Sequence, residues 1–461
     1  VASLILLAAV AHVQGSSSFP SGQHSGYINY AFAFANLSTF YVYVDHDVPT
    51  VPLIIWMNGG PGASSLTGLF TELGPQLLNS RSVGSIQGQA SYSLFDNPYA
   101  WSRNASLLVF EQPAGVGFSR CSGEVCKLWN DTSSASASAA FLSAFYVKYP
   151  SARARPLFIM GESYAGIYVP LLAQRVLEFA DPGIMLQGIA VGNGCIGFGV
   201  SGGCGLDALD LLVTTLERRA PRVPLTILDT ARKACPGELE QGKTSSELSA
   251  ACSNAIGDVF REAGQFNTYH WASACGPSGQ GNWGEGTAFA CGGGDLLAQY
   301  LSELSIQRAL NVVPSTANYT LDWHQWDGTY PQYNITEADA QPAYRALLAA
   351  GVRVLIYNGL QDTGVPVEGA QRWVPRVAGP VSVPRRKWGA PPLGELAGDV
   401  TVYQGGLTLA TVEGAGHLVP GDRPQAAWAM IDAFMRDEEL PTYEGLACNQ
   451  LWLGRGWGSF C

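Results

Sequence analysis

Ser163 stands in the run Phe158-Ile159-Met160-Gly161-Glu162-Ser163-Tyr164-Ala165-Gly166, where an apolar stretch meets the pattern G-x-S-x-A and a helix-forming stretch follows. A serine hydroxyl is a weak nucleophile at its own pKa and must be activated. A sharp strand-to-helix turn thrusts such a hydroxyl clear of the sheet, and small residues at 161 and 165 let the two backbones approach closely. The serine then needs an imidazole as base and a carboxylate to orient that imidazole. In hydrolases built on this elbow the acid follows the nucleophile and the base comes last. Three histidines follow Ser163: His270, His324 and His417. His417 lies in Glu413-Gly414-Ala415-Gly416-His417-Leu418-Val419-Pro420, a glycine loop after the apolar stretch Leu407–Val412. His270 and His324 fall in a region read as an insertion, and are taken as structural or surface residues. Residues 352–357 are apolar and lead through Asn358-Gly359-Leu360-Gln361 to Asp362, while Asp322, Asp327 and Asp339 follow no comparable stretch. The expected catalytic set is Ser163, Asp362 and His417.

Those residues need a scaffold that brings distant strand ends to one edge. Continuous apolar runs at Leu53–Met57, 107–110, 157–160, 189–191 and 352–357 suit strands covered on both faces. Helical stretches fall between them, at about 132–149, 165–180, 339–350 and 424–439. The first is assigned from the spacing of Phe141, Leu142, Phe145 and Tyr146. Strands alternating with helices imply a mainly parallel α/β sheet with helices on both faces, and the G-x-S-x-A elbow makes the expected architecture that of an α/β-hydrolase. The alternation breaks between 197 and 339, where glycine clusters and helical stretches near 206–219 and 245–263 read as an inserted cap. The expected organisation is a leader at 1–18, core at 19–196, cap at 197–339 and core again at 340–461.

A second string narrows the hydrolase. Trp56-Met57-Asn58-Gly59-Gly60-Pro61-Gly62-Ala63-Ser64-Ser65 closely resembles the W-x-N-G-G-P-G-x-S-S signature of the serine carboxypeptidase family, which includes yeast vacuolar, plant and lysosomal enzymes. The likeness extends through residues 69–75, 97–101, 111–119 and 161–170 and around His417. It implies that backbone N–H groups of Gly60 and Tyr164 face the developing oxyanion, where such donors contribute about 3–4 kcal/mol each. It also implies that Trp56, Asn58, Gly59, Glu72 and Glu162 form the site for a substrate's terminal carboxylate. Two glutamates have the wrong charge for that task unless one is protonated. Close carboxylates cannot both ionise cheaply, so one pKa rises and the acid can donate. Peptide cleavage is therefore expected to be best at roughly pH 4–6. Three departures from the family pattern stand out: Ala63 where many members carry Cys, G-L-Q-D in place of G-D-x-D before the acid, and Leu418 for a common Met.

The implied reaction is removal of C-terminal residues from peptides and proteins through an acyl-enzyme, with no cofactor or metal. An acyltransferase on the same scaffold would use the same triad, and a non-catalytic binding or protective protein would have no need to keep Ser163, His417, Asp362, Gly60 and Glu162 together. A lipase has no use for the glutamate pair.

Bulk properties agree with an exported globular protein. The 461 residues are 47% hydrophobic and 14% charged, which supports a large core and excludes disorder. A net charge of −11 argues against nucleic acid or an anionic membrane as partner. Residues 1–13 are apolar and resemble the core of a secretory signal, incomplete because the sequence starts on Val without a basic segment; no other stretch is long and apolar enough to span a bilayer. Sequons at Asn36, Asn104, Asn130, Asn318 and Asn334 are candidate glycosylation sites. The ten cysteines, Cys121, Cys126, Cys195, Cys204, Cys235, Cys252, Cys275, Cys291, Cys448 and Cys461, show no zinc spacing with histidine and read as disulfides. Spacing leaves the connectivity open, with neighbour pairs such as Cys121/Cys126 and Cys275/Cys291 as the working expectation. The destination is the secretory pathway, ending outside the cell or in a vacuole or lysosome.

Overall fold

The computed structural model describes residues 22–79, 82–86, 89–179, 181, 183–241, 243, 247–273, 293–323, 332–391, 394–443, 450–452 and 457–459. The leader expected at 1–18, His324, and Cys275, Cys291, Cys448 and Cys461 lie outside the described residues.

Among the described residues ten strands carry the sheet: β1 Gln23–Phe32, β2 Ala35–Val44, β3 Leu53–Met57, β4 Ser106–Phe110, β5 Pro156–Glu162, β6 Met185–Gly192, β7 Arg353–Gly359, β8 Val381–Ala390, β9 Glu395–Tyr403 and β10 Leu407–Val412. Their order is β1-β2-β4-β3-β5-β6-β7-β10-β9-β8, and the short strand Arg120–Ser122 pairs with β2 as the eleventh member. The six central strands, β4 to β10 in that order, are parallel. Antiparallel strands flank them on both sides.

Period-two alternation explains the continuous apolar runs. On β3, Ile54 and Trp56 face one buried cluster while Leu53, Ile55 and Met57 face the other. The same split divides Phe158 and Met160 from Leu157 and Ile159 on β5. Helices Asp131–Lys148, Ala165–Glu178, Gln341–Ala349 and Val367–Val377 cover one face; Pro424–Met435 covers the other. This is the α/β-hydrolase fold. Helix Asp131–Lys148 starts where Asn130 and Ser133 cap each other: Asn130 Oδ1 accepts from Ser133 N at 2.8 Å, and Ser133 Oγ accepts from Asn130 N at 3.0 Å.

Residues 208–266 form a helical body with its own core. Helices Ala208–Arg218, Leu225–Ala234 and Ala250–Ala263 bury Val213, Leu216, Leu228, Ile256, Val259 and Phe266 against one another. The Cys235–Cys252 disulfide ties the second helix to the third. Arg372 bridges Asp207 at 2.6 Å and also pairs with Asp210, and Arg219 meets Glu368 at 2.7 Å, so ion pairs join this body to helix Val367–Val377. Later residues behave differently: Leu297, Tyr300, Leu301, Val313 and Trp323 pack into the main core. Cys121–Cys126 and Cys195–Cys204 are also bonded, so three neighbour pairs are disulfides, which fits an oxidising secretory route. Among the described residues no helix is long and apolar enough to cross a membrane, and no cluster of His, Cys, Asp and Glu could hold a metal ion.

Candidate active site

Ser163, Asp362 and His417 follow β5, β7 and β10, which lie in one parallel array with β6, so their loops emerge at the same edge of the sheet. Ser163 has φ +62°, the left-handed conformation that side chains other than glycine seldom adopt. Surrounding bonds hold it there. Ser163 N donates to Gly192 O at 3.0 Å, and Ser163 O accepts from Gly166 N and Cys195 N, both at 2.9 Å. The small neighbours are required: a Cβ on Gly161 would lie 2.3 Å from Met57 O, and one on Gly166 would lie 2.1 Å from Cys195 O.

His417 and Asp362 meet directly. Nδ1 of the buried imidazole lies 2.6 Å from Asp362 Oδ2. A carboxylate oxygen accepts, so Nδ1 is the donor in this pair, and in the neutral imidazole the lone pair is then on Nε2. That Nε2 is buried with no hydrogen-bond partner, Ser163 Oγ included. Asp362 is itself fixed. Asn193, at the end of β6 with φ +41°, donates to Asp362 Oδ2 at 2.9 Å, while its Oδ1 accepts from Gly359 N at 2.9 Å.

The glycine loop after β3 lies against the elbow. A Cβ on Gly59 would come within 2.3 Å of Tyr164 N and 2.7 Å of Ser163 Cβ. Gly60, with φ +109°, follows in a conformation suited to glycine. The N–H groups of Gly60 and Tyr164 thus belong to two backbones in contact.

Beside that contact the polar side chains form a chain. Trp56 Nε1 donates to Asn58 Oδ1 at 2.9 Å, and Asn58 Nδ2 donates to Glu162 Oε1 at 2.8 Å. Asn58 Oδ1 also accepts from Gly68 N at 3.1 Å, which fixes the amide orientation. Glu72 sits on the wide π-helical turn Leu69–Leu73, and its carboxyl adjoins that of Glu162. Both glutamates are buried, and Glu72 Oε1, Glu72 Oε2 and Glu162 Oε2 have no hydrogen-bond partner of good geometry. Burial, reinforced by the Glu72 charge, pushes Glu162 well above the ordinary carboxyl range. Burial likewise raises Glu72, offset in part by the nearby Glu162 carboxyl and Asn58 amide. The pair therefore keeps a proton at mildly acid pH.

A model of the serine carboxypeptidase family matches residues 14–437. The chain belongs to the serine carboxypeptidase family. It is 30% identical over 454 residues to serine carboxypeptidase-like 33 of Arabidopsis thaliana, covering 91% of this chain and 88% of that protein. The lysosomal protective protein of Mus musculus is 29% identical over 450 residues, 90% of each chain. The crystal structure of a prohormone-processing carboxypeptidase from Saccharomyces cerevisiae superposes with a TM-score of 0.69 at 20% identity, covering 90% of this chain and 91% of that one. At that identity the last likeness concerns the fold.

In this serine carboxypeptidase family member several site residues have no local signal in sequence. Tyr269 stacks on His417, with ring centroids 4.3 Å apart and planes 11° apart. It lies just beyond the helical body between β6 and β7, so only the tertiary fold reveals it. Asn193 had a legible context, a polar residue ending a buried strand at the sheet's active edge, yet nothing in the string tied it to Asp362. His270, taken above as structural or surface, has Nε2 3.8 Å from Asp422 Oδ2. Asp422 accepts from Gly416 N at 2.7 Å, next to the base. Glu111 lies farther back: it accepts from Ser64 Oγ at 2.5 Å, Trp323 Nε1 at 2.8 Å and Phe118 N at 2.6 Å, which ties the glycine loop to the core.

The sequons divide by environment. Asn36, Asn318 and Asn334 are exposed. Asn104 donates through Nδ2, the atom a glycan would occupy, to the buried Asp432 at 2.6 Å, and Asn130 Oδ1 is committed to the helix cap.

Proposed function

We propose that this chain is a serine-type carboxypeptidase that removes C-terminal residues from peptides and proteins at acid pH. The observation that carries the reading is the buried glutamate pair joined through Asn58 to Trp56 beside the Ser163 elbow. A protonated glutamate next to an Asn amide can grip a free carboxylate through charge-assisted hydrogen bonds; a neutral ester or an internal peptide bond offers only an uncharged carbonyl oxygen.

In this mechanism Ser163 Oγ attacks the last peptide carbonyl, and His417 Nε2 takes its proton. Asp362 holds the imidazole by Nδ1 and stabilises the imidazolium that forms. The N–H groups of Gly60 and Tyr164 bind the oxyanion. His417 then protonates the departing amine, the terminal amino acid leaves, and water repeats the sequence on the acyl-enzyme. Glu72, Glu162, Asn58 and Gly59 hold the terminal carboxylate, with Trp56 fixing Asn58. Residues 208–266 act as a cap over this edge, and the protein works outside the cell or in an acidic vacuole or lysosome on peptide chain ends.

The test is release of free amino acid from an N-blocked dipeptide and from its C-terminal amide between pH 4 and 8, with Ser163→Ala as control. Peptide turnover is expected to predominate in acid and to fall relative to the amide as pH rises. Equal rates at every pH would overturn carboxylate recognition, and acyl transfer to an added alcohol in preference to water would make the chain an acyltransferase.

A further inference from the structure

Residues 268–271, at the end of the helical body, reach both loops that carry the acid and the base. Thr268 O accepts from Thr363 N at 2.8 Å and from Thr363 Oγ1 at 2.7 Å. Trp271 N donates to Gln361 O at 2.9 Å. These bonds fall immediately on each side of Asp362. Tyr269 O accepts from His417 N at 2.7 Å, so the base is held by its own backbone. The Tyr269 ring then covers the imidazole, with Gly364 close beneath it: a Cβ there would lie 3.1 Å from Tyr269 Cε1. Gly416 has no room for a side chain either, because a Cβ would lie 2.2 Å from Tyr269 O.

The same four residues are tethered to the helical body. Arg222 donates to Trp271 O from Nη2 at 2.7 Å and from Nε at 3.2 Å. Its guanidinium lies 5.1 Å from the ring centre of Phe266, which is buried in the body's core. The inserted region is therefore connected to the acid and the base by hydrogen bonds, and not merely laid over them.

We propose that residues 268–271 are a clasp that sets the geometry of the Asp362–His417 couple, and that Tyr269 is a positioning residue for the imidazole. The proposal rests on the serine-nucleophile reading above. A stacked ring restricts rotation of the imidazole about its bond to Asp362, so that Nε2 stays aimed at one point. Small displacements of a base lower the rate steeply. Stacked aromatic pairs contribute enough to predict a change of about two- to tenfold in rate when the ring is lost. Binding of the substrate's chain end, which uses other groups, should change little.

Diisopropyl fluorophosphate tests this without a peptide subsite. Ser163 Oγ forms the new bond to phosphorus, the P–F bond breaks, fluoride leaves and His417 takes the serine proton. Inactivation of Y269L is expected to be about two- to tenfold slower than wild type, with Y269F close to wild type because the ring is kept. For an N-blocked dipeptide, kcat should fall in the same ratio while KM stays within about twofold. R222M leaves ring and pocket intact, and should slow inactivation by about two- to fivefold through a looser clasp. It keeps the question answerable if Y269L does not fold. Wild-type rates in folded Y269L and R222M, or an effect on KM alone, would overturn the clasp while leaving the nucleophile reading intact. A wild-type protein inert to the reagent would overturn both.

Discussion

Glu162→Gln separates the proposed acid preference from every other property of the site. Glu162 Oε1 is already committed to Asn58 Nδ2 at 2.8 Å, so protonation places the hydrogen on Oε2, the oxygen without a partner. In the variant the amide oxygen keeps the Asn58 bond, and an NH2 group replaces Oε2 as a permanent donor. The wild-type acid donates only while protonated. Once ionised it opposes the substrate carboxylate, and two unit charges ~4 Å apart at an effective dielectric of ~20 repel by about 4 kcal/mol. Asn58 and Gly59 offset part of this, which leaves a rise in peptide KM on the order of 100-fold between pH 5 and pH 8. The variant should show a KM rise several-fold smaller over that range, because its own donor does not titrate and only the neighbouring Glu72 still loses a proton. Steady-state kinetics on an N-blocked dipeptide measures both. A variant whose KM climbs with pH as steeply as that of wild type would refute the assignment of the donor to Glu162.

Three further outcomes follow from the geometry. Asn193→Ala removes the 2.9 Å donor to Asp362 Oδ2 from a buried position; kcat should fall about tenfold and folding stability by about 1–3 kcal/mol, read by kinetics and denaturant titration. Gly59→Ala puts a methyl group 2.3 Å from Tyr164 N, so kcat should drop by about 100-fold or more, even where a melting scan shows a folded protein. Glycopeptide mapping of secreted material should find sugar at Asn36, Asn318 and Asn334 but none at Asn104, whose Nδ2 is bonded to Asp432; a fully occupied Asn104 would refute that reading of the interior.

Runs such as Leu53–Met57 and 157–160 announced the central sheet because strands buried on both faces need no polar alternation. The flanking strands gave no such signal. Val381–Ala390 carries Pro384, Arg385, Arg386 and Lys387 and leaves much of its length exposed, as an edge strand can, and it pairs only because Glu395–Tyr403 presents the matching register. The helix expected to run to 439 stops at Met435, since the stretch that follows, Arg436-Asp437-Glu438-Glu439, has no apolar face to bury. The proposed set Ser163, Asp362 and His417 could be drawn from the string because each follows a recognisable strand in a fixed chain order. Glu72 was legible only through the family signature, because a wide turn and not a regular helix brings it inward. Tyr269 and Asn193 were not legible as partners at all: their contacts cross 148 and 169 residues of sequence, and nothing local encodes such a meeting.

The buried carboxyls that shape the site should also set the pH at which the fold is strongest. Burial pushes Glu111 up to about 7, against the hydrogen bonds from Ser64, Trp323, Phe118 and Ser119. Burial also raises Glu72, Glu162 and Asp422. A carboxyl raised in the folded state binds more protons there than in the unfolded chain. Its contribution is thus complete below the unfolded value and is lost as pH rises through the folded one. For Glu111, moving from 4.5 to about 7 amounts to ~3 kcal/mol. A chain of 461 residues melts with an entropy of about 1 kcal/mol per degree, so that single group is worth about 3 °C. Opposing groups act elsewhere: Asp210 and Asp399 are held low by paired arginines and a lysine despite burial, and they weaken the fold only as pH falls below the ordinary carboxylate range. The melting temperature should therefore rise by several degrees from pH 7.5 to pH 5 and turn down in stronger acid. Glu111→Gln should remove about 3 °C of that rise if the amide is accommodated. A flat or falling profile between pH 7.5 and 5 would show that these carboxyls are solvated or ionised in the native protein, and the protonated grip on the substrate's chain end would fail with them.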